Sequence, residues 1–168
     1  QNLVCGTMSE DPFKESFRSA LPVSKLRTLE MTDAIGLKQV EKLSGLVSMR
    51  RQNASRFVAM MANYPQFRVQ KEIGNSSWFG FSLVVEADAP FGRKEVVDVF
   101  RRRHIEARPI VAGNFVRNDV VRWFNYEVHG DLRNADFVDS KGLFIGNHHY
   151  ALDSAFALVR DAMEELTR

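Results

Sequence analysis

The run Arg27-Thr28-Leu29-Glu30-Met31-Thr32-Asp33-Ala34-Ile35-Gly36-Leu37-Lys38-Gln39-Val40-Glu41-Lys42-Leu43 sets the reading of the rest of the chain. Ala34, Leu37, Val40 and Leu43 recur at helical spacing, with Lys38, Glu41 and Lys42 on the far side, which predicts a helix with one buried face. Thr32 is of the residue class that caps helix N-termini. Ser44-Gly45 then weakens the helix, because glycine in a helix interior costs about 1 kcal/mol relative to alanine. A second helical pattern resumes at Leu46 and runs to Asn63 through Val47, Ala54, Phe57, Val58 and Met61. Two helices in line, or one long bent helix, are expected.

Upstream of this run, Gln1 to Pro22 carries Gly, Ser, Asp and Pro around a short amphipathic patch from Phe13 to Leu21, and reads as a connecting arm. Downstream, Tyr64-Pro65 ends the second helix, since the residue before proline is pushed out of helical geometry. Phe67 and Val69 alternate with Arg68 and Gln70 as a half-buried strand, and Gly74-Asn75 marks a turn. Trp78 to Val85 is a strand apolar on nearly both faces, which predicts a central position. Trp78, Phe79 and Phe81 are read as mainly core, with a ring edge turned to a cleft.

Ala89-Pro90-Phe91-Gly92 forms a turn before a helix in which Val96, Val97 and Phe100 share a face. The cations Arg101, Arg102, Arg103 and His104 close that helix, where they suit its dipole. Ala107 to Val111 is short and extended, and Pro109 places it at an edge or strand end. Ala112 to Gly146 reads mostly as loop, with one helical turn around Asn118 to Trp123. The last helix starts near Asp153 and turns Phe156, Val159, Met163 and Leu166 inward. The expected fold class is α+β: an antiparallel sheet covered by helices on one face. The expected divisions are an arm over 1–28, an interdomain helix or helix pair over 29–63, and an α+β domain over 64–168.

A chain of 168 residues suits one core, and 45% hydrophobic with 26% charged residues excludes disorder and a bare coiled coil. The single Cys5 forms no internal disulfide, so a reducing, cytoplasmic setting is expected. No apolar run reaches membrane-spanning length. The start at Gln1 points to a piece of a longer polypeptide. A basic run with Arg93, Lys94 and Arg117 nearby reads as a solvated helix end, and no nucleic-acid motif accompanies it. His104 and His129 stand far from His148 and His149, with no zinc-type spacing, so no metal site is expected.

With Leu26 to Gly36 in hand, further motifs line up in order: Ser76 to Leu83, Ile105-Glu106-Ala107-Arg108-Pro109-Ile110-Val111-Ala112-Gly113-Asn114-Phe115, Asn134-Ala135-Asp136, and Gly142-Leu143-Phe144-Ile145-Gly146-Asn147-His148-His149-Tyr150. Together they resemble the DegT/DnrJ/EryC1/StrS group of sugar aminotransferases and dehydratases that use pyridoxal phosphate. Within it they look like the branch of nucleotide-sugar 4-keto-6-deoxyhexose 3-dehydratases. The resemblance covers essentially the whole chain. It implies the small C-terminal domain of an aspartate-aminotransferase-like enzyme, with a long interdomain helix and a role in closing the active site and forming a homodimer. It implies PLP or PMP in the intact parent and none bound to this piece alone. The Schiff-base Lys, or the His that replaces it, belongs to the large domain. Nucleotide sugar and glutamate are the implied partners, in deoxysugar or lipopolysaccharide synthesis.

The same resemblance nominates site residues. Arg27 matches a family position near the active site. Lys25, a point charge able to meet phosphate, stands with Val23 and Ser24 where the family carries Gly, an aromatic residue and Asn. Arg108 precedes a proline, where a guanidinium can clamp a carboxylate or phosphate bidentately. Asn114 offers an amide to substrate hydroxyls, although Gly113-Asn114 serves equally as a plain turn. Asn147, His148 and His149 precede the last helix; adjacent histidines in an extended segment point to opposite faces, so at most one of the two lines a pocket, and a structural hydrogen bond is the alternative. The rival reading is a non-catalytic binding or oligomerisation module, or a gene remnant.

Overall fold

The structure, a computed structural model, describes residues 30–168. The expected arm over 1–28, Lys25 and Arg27 lie outside the described residues. Two helices open the described part, α1 at Glu30–Val40 and α2 at Leu43–Met61. The break between them falls at Glu41-Lys42, two residues before the expected Ser44-Gly45, and both of those sit in the first turn of α2. A glycine there interrupts little, since the first turn donates none of its N–H groups to the helix ladder. Thr32 lies inside α1 rather than capping it.

The expected buried face of α1 is open. Leu37, Val40 and Leu43 are 73%, 65% and 52% exposed. Periodicity marks a face that can be buried, and nothing among the described residues covers this one. In α2 the same periodicity meets a partner: Ala54, Phe57 and Met61 are buried against the sheet.

Four strands follow: β1 at Phe67–Val69, β2 at Gly80–Val85, β3 at Ala107–Arg108 and β4 at Gly142–Gly146. They pair antiparallel in the order β1-β2-β4-β3. Register puts Phe67 opposite Val85, Leu83 opposite Leu143, and Phe81 and Ala107 opposite Ile145. Directly opposed residues share a face, so these side chains make one apolar sheet surface. Phe57 of α2 stacks on Phe81 with ring centroids 4.1 Å apart. Removing a side chain of this class from water contributes about 1.5–3 kcal/mol.

Helix α3, Arg93–Arg102, buries Val96, Val99 and Phe100. Val99 takes the place expected for Val97, because i, i+3 and i+4 define one stripe. Glu95 Oε2 accepts from Gly92 N at its start. Helix α4 is Arg133–Lys141 and α5 is Asp153–Leu166, the latter burying Val159, Ala162 and Met163. Glu165 joins α5 to α3 by accepting from Arg102 (2.7 Å) and Arg103 (2.9 and 2.7 Å).

Two regular elements lie where a loop was expected between Ala112 and Gly146: α4 and the central strand β4. The anticipated turn near Asn118 is present as a 3-10 helix at Asp119–Trp123, after another at Phe115–Arg117.

Candidate functional site

Changes of chain direction at the ends of β2, β4 and α3 bring Phe79, His148 and His104 to the wall of one cleft. Trp78 adopts a left-handed backbone (φ 50°), rare for a residue with a side chain. Its N–H donates to Ser76 Oγ (3.0 Å), its carbonyl accepts from Asn147 Nδ2 (2.8 Å), and its ring is buried. Arg51 of α2 holds the preceding loop by donating to the carbonyls of Ser76 (2.8 Å) and Asn75 (3.1 Å). With Trp78 turned inward, the next side chain turns out: Phe79 is 72% exposed. This corrects the core reading of the aromatic set, which holds for Trp78 and Phe81 only.

A buried amide pair fixes the opposite wall. Asn53 Nδ2 lies 3.2 Å from Asn147 Oδ1, 3.0 Å from the His148 carbonyl and 2.8 Å from the Tyr150 carbonyl. Asn147 Nδ2 donates to the carbonyls of Arg50 (3.0 Å) and Trp78. The segment after β4 is therefore tied to α2 through side-chain amides, which replace the ladder where the strand ends. His148 and Tyr150 stack at 4.7 Å on this anchored segment.

Between these walls lies a cleft of about 520 Å³, whose lining includes Arg50, Phe79, His104, Arg108, Phe144 and His148. Phe79 stacks on Phe144 at 5.9 Å, and the Arg50 guanidinium carbon lies 5.7 Å from the Phe79 ring centroid. Arg108 Nε and Nη2 donate to Glu106 Oε1 at 2.8 and 2.6 Å. Gly80 is needed beneath: a Cβ there would meet the Phe144 ring and stand 2.7 Å from the Ile145 carbonyl.

Of the nominated residues, Arg108, Asn147 and His148 line the cleft, and His149 does not. Asn147 is 4% exposed and its amide is taken up by chain contacts, so it holds the wall. Asn114 lies away from the cleft: Nδ2 donates to Asp136 Oδ1 (2.8 Å) and Oδ1 accepts from Val116 N (3.1 Å), capping a 3-10 turn. Arg50, Phe144 and Asn53 escaped the sequence reading, and Phe79 was named there only within an aromatic set read as mainly core with a ring edge turned to a cleft. Phe79 carried a signal in Trp78-Phe79-Gly80, a glycine beside an aromatic pair; Arg50 and Asn53, mid-helix, carried none. No group of three or more His, Cys, Asp or Glu able to hold a metal occurs among the described residues.

Comparison with known proteins gives this geometry a context. The sequence profile of the DegT/DnrJ/EryC1/StrS aminotransferase family matches residues 4–163. A GDP-4-keto-6-deoxy-D-mannose 3-dehydratase of Escherichia coli O55:H7 is 42% identical over 165 residues, 98% of this chain and 42% of that protein. A crystal structure of GDP-4-keto-6-deoxymannose-3-dehydratase with a trapped PLP-glutamate geminal diamine superposes with a TM-score of 0.78 at 44% identity, over 95% of this chain and 42% of that one. Another, of a variant with bound GDP-perosamine, gives 0.79 at 43% identity, over 95% and 42%. The chain thus spans about two fifths of the length of the relatives it matches. Its fold is the α+β small domain of fold type I pyridoxal phosphate enzymes, an antiparallel sheet covered by helices. Among the described residues no lysine lines the cleft.

Proposed function

This chain belongs to the DegT/DnrJ/EryC1/StrS aminotransferase family, and from that premise we propose that it is the C-terminal part of a PLP- or PMP-dependent enzyme acting on a nucleotide-linked 4-keto-6-deoxysugar. The reaction is 3-dehydration, with glutamate as amino donor; transamination is the related outcome for the same substrate class. The single observation that carries the reading is the cleft: exposed aromatic rings beside Arg50, Arg108 and His148, in a chain 42% identical to a 3-dehydratase of a GDP-linked ketosugar. Guanidinium groups receive phosphate oxygens in a planar fork, and imidazoles donate near neutral pH. In this reading Arg108 and His148 meet substrate, Asn147 positions them, and Lys25 and Arg27 are assigned to cofactor binding.

Covalent cofactor chemistry needs a residue outside the described part, and the cofactor acts as electron sink when bound. The domain itself closes the site, excludes water and orients the substrate. The proposed enzyme is a cytoplasmic homodimer, as the family resemblance implies.

The test joins this chain to its upstream coding region and purifies the product. The expected result is bound pyridoxal phosphate, seen by its visible absorbance, and consumption of GDP-4-keto-6-deoxymannose in the presence of glutamate. A product that binds no cofactor, or a stop codon directly upstream, turns the reading to a non-catalytic module.

A further inference from the structure

Resting on the reading above that His148 meets substrate, we propose that Asn53 is a positioning residue of the site: its amide sets the bend at His149-Tyr150 that turns His148, and not His149, into the cleft. Asn53 is 0% exposed in the middle of α2, beneath the cleft wall rather than in its lining. Its nitrogen carries two hydrogens and faces three oxygens. The two shorter contacts are the carbonyls of Tyr150 (2.8 Å) and His148 (3.0 Å), ahead of Asn147 Oδ1 (3.2 Å). Turning the amide over would set oxygen against oxygen at all three, so the acceptors fix its orientation. Two carbonyls two residues apart that converge on one nitrogen require the chain to bend between them, and residues 149–150 form that bend.

The sheet no longer holds the chain at this point. The β2–β4 ladder ends at Gly146, and among the described residues the backbone of 148–151 makes no hydrogen bond to other backbone groups. The bend decides where the rings go. His148 and Tyr150 stack (4.7 Å, 20°) and both line the cleft, whereas His149 stands edge-on to Tyr150 (5.6 Å, 74°) outside the lining. Without the anchor, a turn of the segment by one residue exchanges the two imidazoles. Asn53 is also kept at a cost: its Oδ1 is buried without a hydrogen-bond partner among the described residues, which disfavours the folded state. A side chain selected for packing alone would be apolar at so enclosed a position. The same turn of α2 holds the facing loop through Arg51, so one stretch of helix sets both walls.

The experiment compares variants of the joined protein with GDP-4-keto-6-deoxymannose as substrate. Asn53→Leu, which keeps bulk and removes the donor, should raise the KM for the ketosugar about tenfold, the equivalent of one lost substrate hydrogen bond. Its kcat should hold within about twofold, since the interaction lost is one of binding. His148→Ala should raise KM by a similar factor, and adding Asn53→Leu to it should bring no further rise, because the two residues act as one unit. Asn53→Ser, which keeps one donor, should fall between Asn53→Leu and the parent and serves if Asn53→Leu does not fold. A merely structural residue lowers the folded fraction and hence kcat while KM stays; Val96→Ala, buried in α3 outside the cleft lining, is the control for that pattern. In the 168-residue chain, cross-relaxation between the His148 and Tyr150 ring protons should be lost in Asn53→Leu. A KM unmoved by the Asn53 variants, losses that add in the double variant, or a ring contact that survives Asn53→Leu would each overturn the assignment. Absence of cofactor in the joined protein, or a parent-like KM for His148→Ala, overturns instead the reading beneath it, and the ring contact then decides on Asn53 alone.

Discussion

His104 sits in the left-handed region (φ 57°) at the end of α3, where Ile105 N donates to the Phe100 carbonyl (2.9 Å) and His104 N to that of Arg101 (3.1 Å). This is the hydrogen-bond pattern that usually ends a helix on glycine. A histidine there strains the backbone and places an imidazole at the cleft wall. His104→Gly is expected to stabilise the chain by up to about 1 kcal/mol, because a side chain in this conformation costs roughly 1–2 kcal/mol and glycine's own entropy offsets part of the gain. Urea denaturation checks it; a loss of stability would show that the imidazole holds the fold. Asn147 gives the opposite case. Asn147→Ala strips donors from the carbonyls of Arg50 and Trp78 and an acceptor from Asn53. The expected loss is about 1–3 kcal/mol, the cost of leaving buried polar groups without partners. A midpoint within error of the parent would mean that water replaces the amide at no cost.

The contact between α3 and α5 is the element whose strength follows pH. Hydrogen bonds from Arg102 and Arg103 hold the Glu165 carboxyl below its ordinary range. A carboxyl lowered in the folded state adds stability above its unfolded value and loses it as pH falls through the folded one. Glu165→Gln should therefore narrow the parent's advantage as the medium turns acid: the two urea midpoints differ most near neutrality and converge at low pH. A difference that stays constant on acidification would assign the effect to shape alone. Elements were legible from sequence in proportion to how much of their period they display. The fourteen residues of α5, from Asp153 to Leu166, show four turns of it, and both its start and its inward stripe were readable. Gly142-Leu143-Phe144-Ile145-Gly146 shows no alternation, because β4 lies between β2 and β3 and both of its faces are covered or half-covered. Five residues between two glycines carry no more signal than a loop. Helix α4 likewise buries no residue, so it has no apolar stripe to read. The cleft was half legible: motif positions gave Arg108 and His148, whereas Arg50, Phe79 and Phe144 meet only after the sheet order is known.

At the scale of the whole molecule, α1 is the part whose surface does not match its surroundings. Met31, Ile35, Leu37 and Val40 are 73%, 63%, 73% and 65% exposed. At about 100° per residue, Met31 and Ile35 fall on one side of the helix and Leu37 and Val40 nearly opposite. A helix apolar on more than one side is the kind that is enclosed in the complete protein. The chain spans about two fifths of its relatives' length, so the proposed remainder of the enzyme has ample surface with which to enclose it. This separates two stabilities that would otherwise be confused. In the 168-residue chain, Leu37→Ser with Val40→Ser removes no buried contact, and the urea midpoint should stay within about 0.5 kcal/mol of the parent. In the joined protein, where the remainder encloses both side chains, the same pair should destabilise by about 4–8 kcal/mol, since each loses a buried aliphatic group and gains a buried hydroxyl. Equal midpoints in the joined protein would mean that α1 remains open to water there, and its apolar residues would then have to be explained without a covering domain.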